Sequence, residues 1–243
     1  MYGICLLTVI PMRKLPSHKS EMINQVLFGE TFKVVEKKEN WSLVKLSHDN
    51  YIGWISNSQY KKKSNKKTDS YISNKIYCNI KINHIKQQLV LGSFIPKNEL
   101  EQEELQIDFQ LNFLEINNFD SWLEKIAKKY LNTPYLWGGR TTLGIDCSGF
   151  TQMVYRFFKI NLPRDSHQQA KKGKKINFKN CKVGDLAFFE EKNKITHVGI
   201  ILKNQRIIHS SGKVRIDLID ETGIYNSKAE KYSHKLKLIK RFI

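Results

Sequence analysis

The sequence predicts an α+β domain preceded by one or two small all-β barrels, and three observations carry that prediction. Residues 1–60 break into short alternating runs separated by turn residues, a lysine-dense stretch follows, and from about residue 118 two helical patterns give way to β-branched runs. The implied boundaries are 1–60 for a first barrel, 61–117 for a linker and a degenerate second barrel, and 118–243 for the α+β domain.

In the first barrel the strand-like runs are 4–10, 25–28, 31–36, 41–46 and 51–55, broken at Pro16-Ser17, Gly29, Lys38-Glu39-Asn40 and His48-Asp49-Asn50. Five short strands at this spacing suit a closed or half-closed barrel. The run Lys61-Lys62-Lys63-Ser64-Asn65-Lys66-Lys67 reads as a solvated linker. Weaker strand signals follow at 76–82, 88–91 and 105–109. In the α+β domain, Asp120 or Ser121 is placed to cap a helix carrying Trp122, Leu123, Ile126, Ala127 and Tyr130, which ends before Pro134. A second helix begins at Cys147, because Phe150, Val154, Phe157 and Phe158 recur at helical spacing behind the N-cap candidate Asp146. Strands are then expected at 185–190, 194–202, 206–210, 214–218 and 235–242.

Chemistry concentrates on Cys147, His197 and His209. A thiol is mostly protonated at neutral pH, so a nucleophilic cysteine needs an electropositive setting and a nearby imidazole. The unpaired N–H groups and positive dipole end of the helix at Cys147 are expected to supply the first. His197 and His209 lie on strands separated by Lys203-Asn204-Gln205, which reads as a hairpin. They share a face only if opposed residues sum to an even number, as a three-residue loop gives. His18, His48, His84, His167 and His234 read as packed or surface residues.

Composition narrows the classes. The net charge of +18 raises nucleic acid as a partner, but 34 of the 41 basic residues are lysines spread along the chain. Base readout favours arginine and clusters charge on one element, so no nucleic-acid partner is expected. Cys5, Cys78, Cys147 and Cys181 form no C-x-x-C pair and no metal-ligand spacing, which points to a reducing compartment and to no metal or cofactor. The apolar run at 4–10 lacks a basic lead-in and suits a strand better than a signal peptide, and no stretch approaches a membrane span. The expected location is cytoplasmic.

The blocks Pro134-Tyr135-Leu136-Trp137-Gly138-Gly139-Arg140, Asp146-Cys147-Ser148-Gly149-Phe150, Leu162-Pro163-Arg164-Asp165-Ser166, Gly184-Asp185-Leu186 and His197-Val198-Gly199-Ile200, before His209, resemble in order and spacing the NlpC/P60 family of papain-like cysteine peptidases. The resemblance covers about residues 118–243. It implies a papain-like domain with Cys147 as nucleophile, His197 as base and His209 as the orienting group, cutting peptidoglycan stem peptides. Met12-Arg13, Gly29-Glu30, Asn40-Trp41 and Gly53-Trp54-Ile55 resemble a bacterial SH3-type domain. That pairing is similar to the cytoplasmic γ-D-glutamyl-L-diamino acid endopeptidases, which recycle peptides bearing a free N-terminal L-Ala. By the same resemblance Glu30, Tyr51, Tyr135, Trp137, Asp146, Ser148, Asp165 and Ser166 match substrate-contacting positions, with Tyr135 also a candidate oxyanion donor beside the Cys147 amide. An exported wall hydrolase, a non-catalytic wall-peptide binder, and an acyltransferase or amidase on the same scaffold stand as alternatives.

Overall fold

The computed structural model describes residues 1–64, 69–82, 84–97, 105–107, 119–227 and 229–242. The chain divides into two compact units, Met1–Glu115 with Trp137–Thr142, and Ile116–Leu136 with Leu143–Ile243. Among the described residues no helix is long and apolar enough to cross a membrane.

In the N-terminal unit, β1 (Tyr2–Ile4), β2 (Val9–Arg13), β3 (Met22–Leu27), β4 (Thr31–Lys37), β5 (Trp41–Leu46), β6 (Ile52–Ser56) and β7 (Lys61–Lys63) form one sheet in the order β3-β2-β6-β5-β4-β1-β7. Alternation along these strands buries Cys5, Ile10, Met12, Val26, Phe32, Val44, Leu46 and Ile55 together. The run 4–10 is two strands and not one. The buried Cys5 thiol donates to the Leu7 carbonyl at 3.2 Å, and the chain turns there. Lys61–Lys63, expected in a solvated linker, instead pairs with β1 at the sheet edge, where lysine side chains reach water and discourage further pairing. Residues 65–68 lie outside the described residues.

The same unit holds β8 (Ser70–Ile72), β9 (Tyr77–Ile82), β10 (Ile85–Val90), β11 (Phe94–Pro96), β12 (Leu105–Ile107) and β13 (Arg140–Thr141). Among the described residues the expected second barrel is a three-stranded sheet, β10-β9-β12, and a two-stranded one, β11-β8. Their apolar residues Ile80, Leu89 and Ile95 pack with Phe28, and Leu6 joins the edge of that cluster, so these strands bury against residues of the first barrel. Gly29 makes the approach possible. At φ 77° its Cβ would stand 2.1 Å from the Phe94 carbonyl oxygen. Of the strand expected at 105–109, residues 108–109 lie outside the described residues, as does the boundary at 118.

The C-terminal unit contains α1 (Phe119–Lys128), β14 (Gly144–Ile145), α2 (Cys147–Arg156), α3 (Ser166–Gln169), β15 (Lys174–Ile176), β16 (Leu186–Glu191), β17 (Lys194–Leu202), β18 (Arg206–Ser211), β19 (Lys213–Ile219), β20 (Gly223–Asn226) and β21 (Lys231–Arg241). Helix α1 already includes Phe119, so Asp120 and Ser121 stand inside its first turn instead of capping it. All ten residues of α2 are buried, and Phe150 meets Tyr130 edge-on at 5.8 Å. Strand β21 pairs with both β16 and β20, which closes the antiparallel sheet on itself. Ala187, Phe189, Ile201, Ile207, Ile219, Ile224 and Ile239 form the cluster on its inner face. The five strands expected here are all present, with β14, β15 and β20 in addition among the described residues.

Candidate active site

Register decides which side chains meet. Gly199 opposes His209 and Leu202 opposes Arg206, leaving the three-residue loop 203–205, so His197 and His209 share a face as the even-sum condition requires. Ile201 opposes Ile207, which makes that face the inner one. Ile207 opposes Asp217, and Ile224 opposes His234, so these two also point inward. The four side chains converge. His197 Nε2 lies 2.8 Å from His209 Nδ1, and His209 Nε2 lies 2.9 Å from Asp217 Oδ2. Arg215 donates to Asp217 Oδ1 at 2.7 Å. The His234 ring stacks on His197, with centroids 4.2 Å apart and planes 27° from parallel.

Cys147 opens α2 behind Asp146, whose carboxylate accepts the Gly149 amide proton at 2.6 Å and thereby caps the helix. Backbone amides of Val198 and Ser148 bear on the sulfur, which sets Cys147 against the strand residue next to His197. Burial, followed by the Asp146 carboxylate, pushes the thiol up to about 12, and the two amides and Arg164 only partly offset this. Burial thus works against the thiolate that the helix start and a nearby imidazole are expected to favour. Burial, with the His209 and His234 rings beside it, holds His197 well below the ordinary histidine range. Burial thus favours the neutral form of both groups.

Tyr135 is fixed by its own amide, which donates to the Gly212 carbonyl at 2.9 Å. Its phenol is pushed up by burial and then by Cys147 and Asp146. With His197, Gly212 and His234 it lines a cleft of about 720 Å³. A larger cavity of about 970 Å³, bordered by Cys181, Lys203 and Asp220, contains none of the expected site residues.

Asp146 and Ser148, expected to touch substrate, both contact Arg164. Arg164 Nη1 lies 2.9 Å from Asp146 Oδ1 and 3.0 Å from the Ser148 hydroxyl, which itself donates to Asp146 at 3.2 Å. All three are buried. The Asp146 carboxylate thereby ties the start of α2 to the Arg164 turn. Asp165 and Ser166 follow at the start of α3 and are half-buried.

Glu30, Tyr51 and Trp137 belong to the N-terminal unit. Glu30 is held by contacts within that unit. Its two oxygens lie 2.9 Å from Arg140 Nη1 and Nη2, the Leu27 amide donates to one of them at 3.0 Å, and the residue is 1% exposed. This ion pair ties Glu30 to Arg140 in the 137–142 segment. Tyr51 packs against the barrel core, and the exposed Trp137 indole donates to Glu21 at 2.8 Å.

Sequence reasoning missed Asp217, His234, Arg164 and Arg140. The first was within reach, since Gly212 marks a turn after His209 and alternation from Val214 puts Asp217 on the histidine face. His234 was not, because only closure of the sheet brings β21 there. One nitrogen from each of His197, His209 and His234 lies within 4.8 Å of the others, so a soft divalent ion could bridge them. It would have to displace the His197–His209 hydrogen bond.

Residues 132–233 match the NlpC/P60 family, and residues 12–59 match the bacterial dipeptidyl-peptidase Sh3 domain. The gamma-D-glutamyl-L-lysine dipeptidyl-peptidase of Bacillus subtilis (strain 168) is 42% identical over 84 residues, 33% of this chain and 28% of that protein. The protein of the same name from Bacillus cereus (strain ATCC 10987 / NRS 248) is 25% identical over 234 residues, covering 80% of this chain and 68% of the relative. A crystal structure of an NlpC/P60 family protein from Bacillus cereus ATCC 10987 shares the fold, with a TM-score of 0.79 at 18% identity over 99% of each chain.

Proposed function

We propose that this chain, which carries an NlpC/P60 domain behind a bacterial SH3 domain, is a cysteine peptidase that hydrolyses the γ-D-glutamyl–L-diamino acid bond of peptidoglycan-derived peptides bearing a free N-terminal L-Ala. The observation that carries it is Cys147 at the start of a buried helix, against the strand that bears the hydrogen-bonded pair His197 and His209. The names of the two Bacillus relatives support the choice of bond.

In this reading His197 takes the Cys147 proton as the sulfur attacks the amide carbonyl, then returns it to the departing amine. Water hydrolyses the thioester with His197 again as base. The Cys147 amide, which as the first of the helix has no intrahelical acceptor, and the Tyr135 hydroxyl stabilise the oxyanion. The preference for short peptides with a free amine fits a cytoplasmic recycling role.

The test is incubation with L-Ala-γ-D-Glu-L-Lys and with its diaminopimelate counterpart, each free and N-acetylated, following the released diamino acid by mass spectrometry. Cleavage of the free peptides at least about 10³-fold faster than the acetylated ones is expected, since losing a buried charge-assisted contact costs several kcal/mol. Equal cleavage of both, or release of stem peptides from intact sacculi, would favour a wall hydrolase. Binding without turnover would favour a non-catalytic wall-peptide binder.

A further inference from the structure

We infer that Asp217 is a positioning residue that sets, through His209, which nitrogen of His197 carries the proton. The inference rests on the reading of His197 as the base. An ionised carboxylate can only accept, so Asp217 Oδ2 at 2.9 Å requires the proton of His209 to sit on Nε2. That leaves a lone pair on His209 Nδ1, which accepts from His197 Nε2–H at 2.8 Å. His197 Nδ1 is then the nitrogen left with a lone pair, the state a base for Cys147 needs. A histidine in the orienting position is ambiguous by itself, since either of its nitrogens can donate. Asp217 removes the ambiguity, and it supplies the negative charge that a neutral His209 lacks when His197 becomes an imidazolium.

The surroundings support this direction of the chain. Hydrogen bonds from His209 and Arg215 hold the Asp217 carboxyl below its usual range despite burial. Arg215 donates to Oδ1 at 2.7 Å and can never accept, so it fixes which oxygen is left for His209. Among the described residues His234 of β21 stacks on His197, and Cys147 of α2 lies against Val198, the next residue along the strand. Burial pushes His234 down to about 4, so near neutral pH it adds no positive charge. Phe189 of β16 closes the remaining side, 5.8 Å from the His197 ring.

The geometry makes Asp217→Asn a sharper probe than Asp217→Ala. Arg215 takes the amide oxygen of the asparagine, which turns the NH₂ toward His209. His209 Nε2 must then accept, Nδ1 carries the proton and donates to His197 Nε2, and the His197 proton moves to Nδ1. Every link reverses. In Asp217→Ala neither direction is enforced and both tautomers coexist.

The experiment is ¹⁵N–¹H correlation of the histidine side chains at pH 7.5 in the full-length protein, beside kcat and KM on L-Ala-γ-D-Glu-L-Lys. His197 is expected as the Nε2–H tautomer in the wild type, as Nδ1–H in Asp217→Asn, and as a mixture in Asp217→Ala. Turnover should fall about 10²-fold in Asp217→Asn and about tenfold in Asp217→Ala, with KM little changed. Removing Arg215 as well, in Asp217→Asn/Arg215→Ala, frees the amide to turn and should return kcat to the Asp217→Ala level. A folded Asp217→Asn or Asp217→Ala protein that keeps the wild-type tautomer overturns the inference, as does an Asp217→Asn kcat no lower than that of Asp217→Ala. The tautomer is read without substrate, so this arm stands even if the tripeptide proves to be the wrong one.

Discussion

Burial acts on Cys147 and His197 in opposite directions, raising the thiol to about 12 and holding the imidazole well below its usual range. Each loses the solvent that would stabilise its charge, so burial favours the thiol and the neutral imidazole over the ion pair. Iodoacetamide should accordingly modify Cys147 slowly at pH 7 and faster with each rise in pH, while the half-buried Cys78 and Cys181 react first. Fast, pH-independent labelling of Cys147 between pH 6 and 8 would mean a standing thiolate. Cys147→Ala should abolish turnover with folding intact, because a sulfur lost at a helix start leaves little cavity. His197→Ala should cost about 10²–10⁴ in kcat, the usual worth of general acid–base help, and His209→Ala less. Losses below about tenfold in the first two would remove the mechanism. These three residues were singled out in the sequence by the motif blocks around them, and the helical pattern behind Cys147 and the hairpin spacing of the histidines agree with that reading. The resting charge state was not legible there, since desolvation depends on what the rest of the fold packs around the sulfur.

Helix α2 depends on the Asp146–Arg164 pair, which is nearly solvent-free at 6% and 1% exposure. Asp146→Asn keeps much of the cap but strands a buried guanidinium, for which about 3–5 kcal/mol of stability is the usual loss. Urea unfolding checks it, and a change under about 1 kcal/mol would show that Arg164 finds water or another acceptor. Conservative repair should not come from Arg164→Lys, since a point charge cannot replace the two-pronged contact. The apolar periodicity of 150–158 announced α2, and β-branched runs announced β16 to β19. Lys61–Lys63 concealed a strand behind its charge, and the four residues of β20 are too short for alternation to register. The pairing of β20 with β21 that closes the sheet involves residues such as Ile224 and His234, whose partnership no local pattern encodes.

At the scale of the molecule, three buried or half-buried histidines at one end of the closed sheet couple its stability to pH. His197 and His209 are lowered by burial, with Asp217 partly opposing the shift at His209, and burial takes His234 to about 4. Unfolded histidines take up protons near pH 6.5 and these do not, so the unfolded state binds more protons below that value. Stability is therefore full above about pH 6.5 and falls as pH drops through the window between 6.5 and the lowered folded values. Thermal unfolding should show Tm falling from pH 7.5 to pH 5, with a smaller fall in His234→Phe. A Tm flat over that range would mean that the histidines are solvated.

The proposed covalent chemistry at Cys147 meets its most direct test in the intact mass of the protein, acid-quenched during turnover of L-Ala-γ-D-Glu-L-Lys. The prediction is a transient adduct of the L-Ala-γ-D-Glu acyl group, mapped by peptide digestion to Cys147 and absent from Cys147→Ala, with lysine released at the same rate as adduct turnover. Undiminished tripeptide hydrolysis by Cys147→Ala, or an acyl group on any other residue, would contradict it.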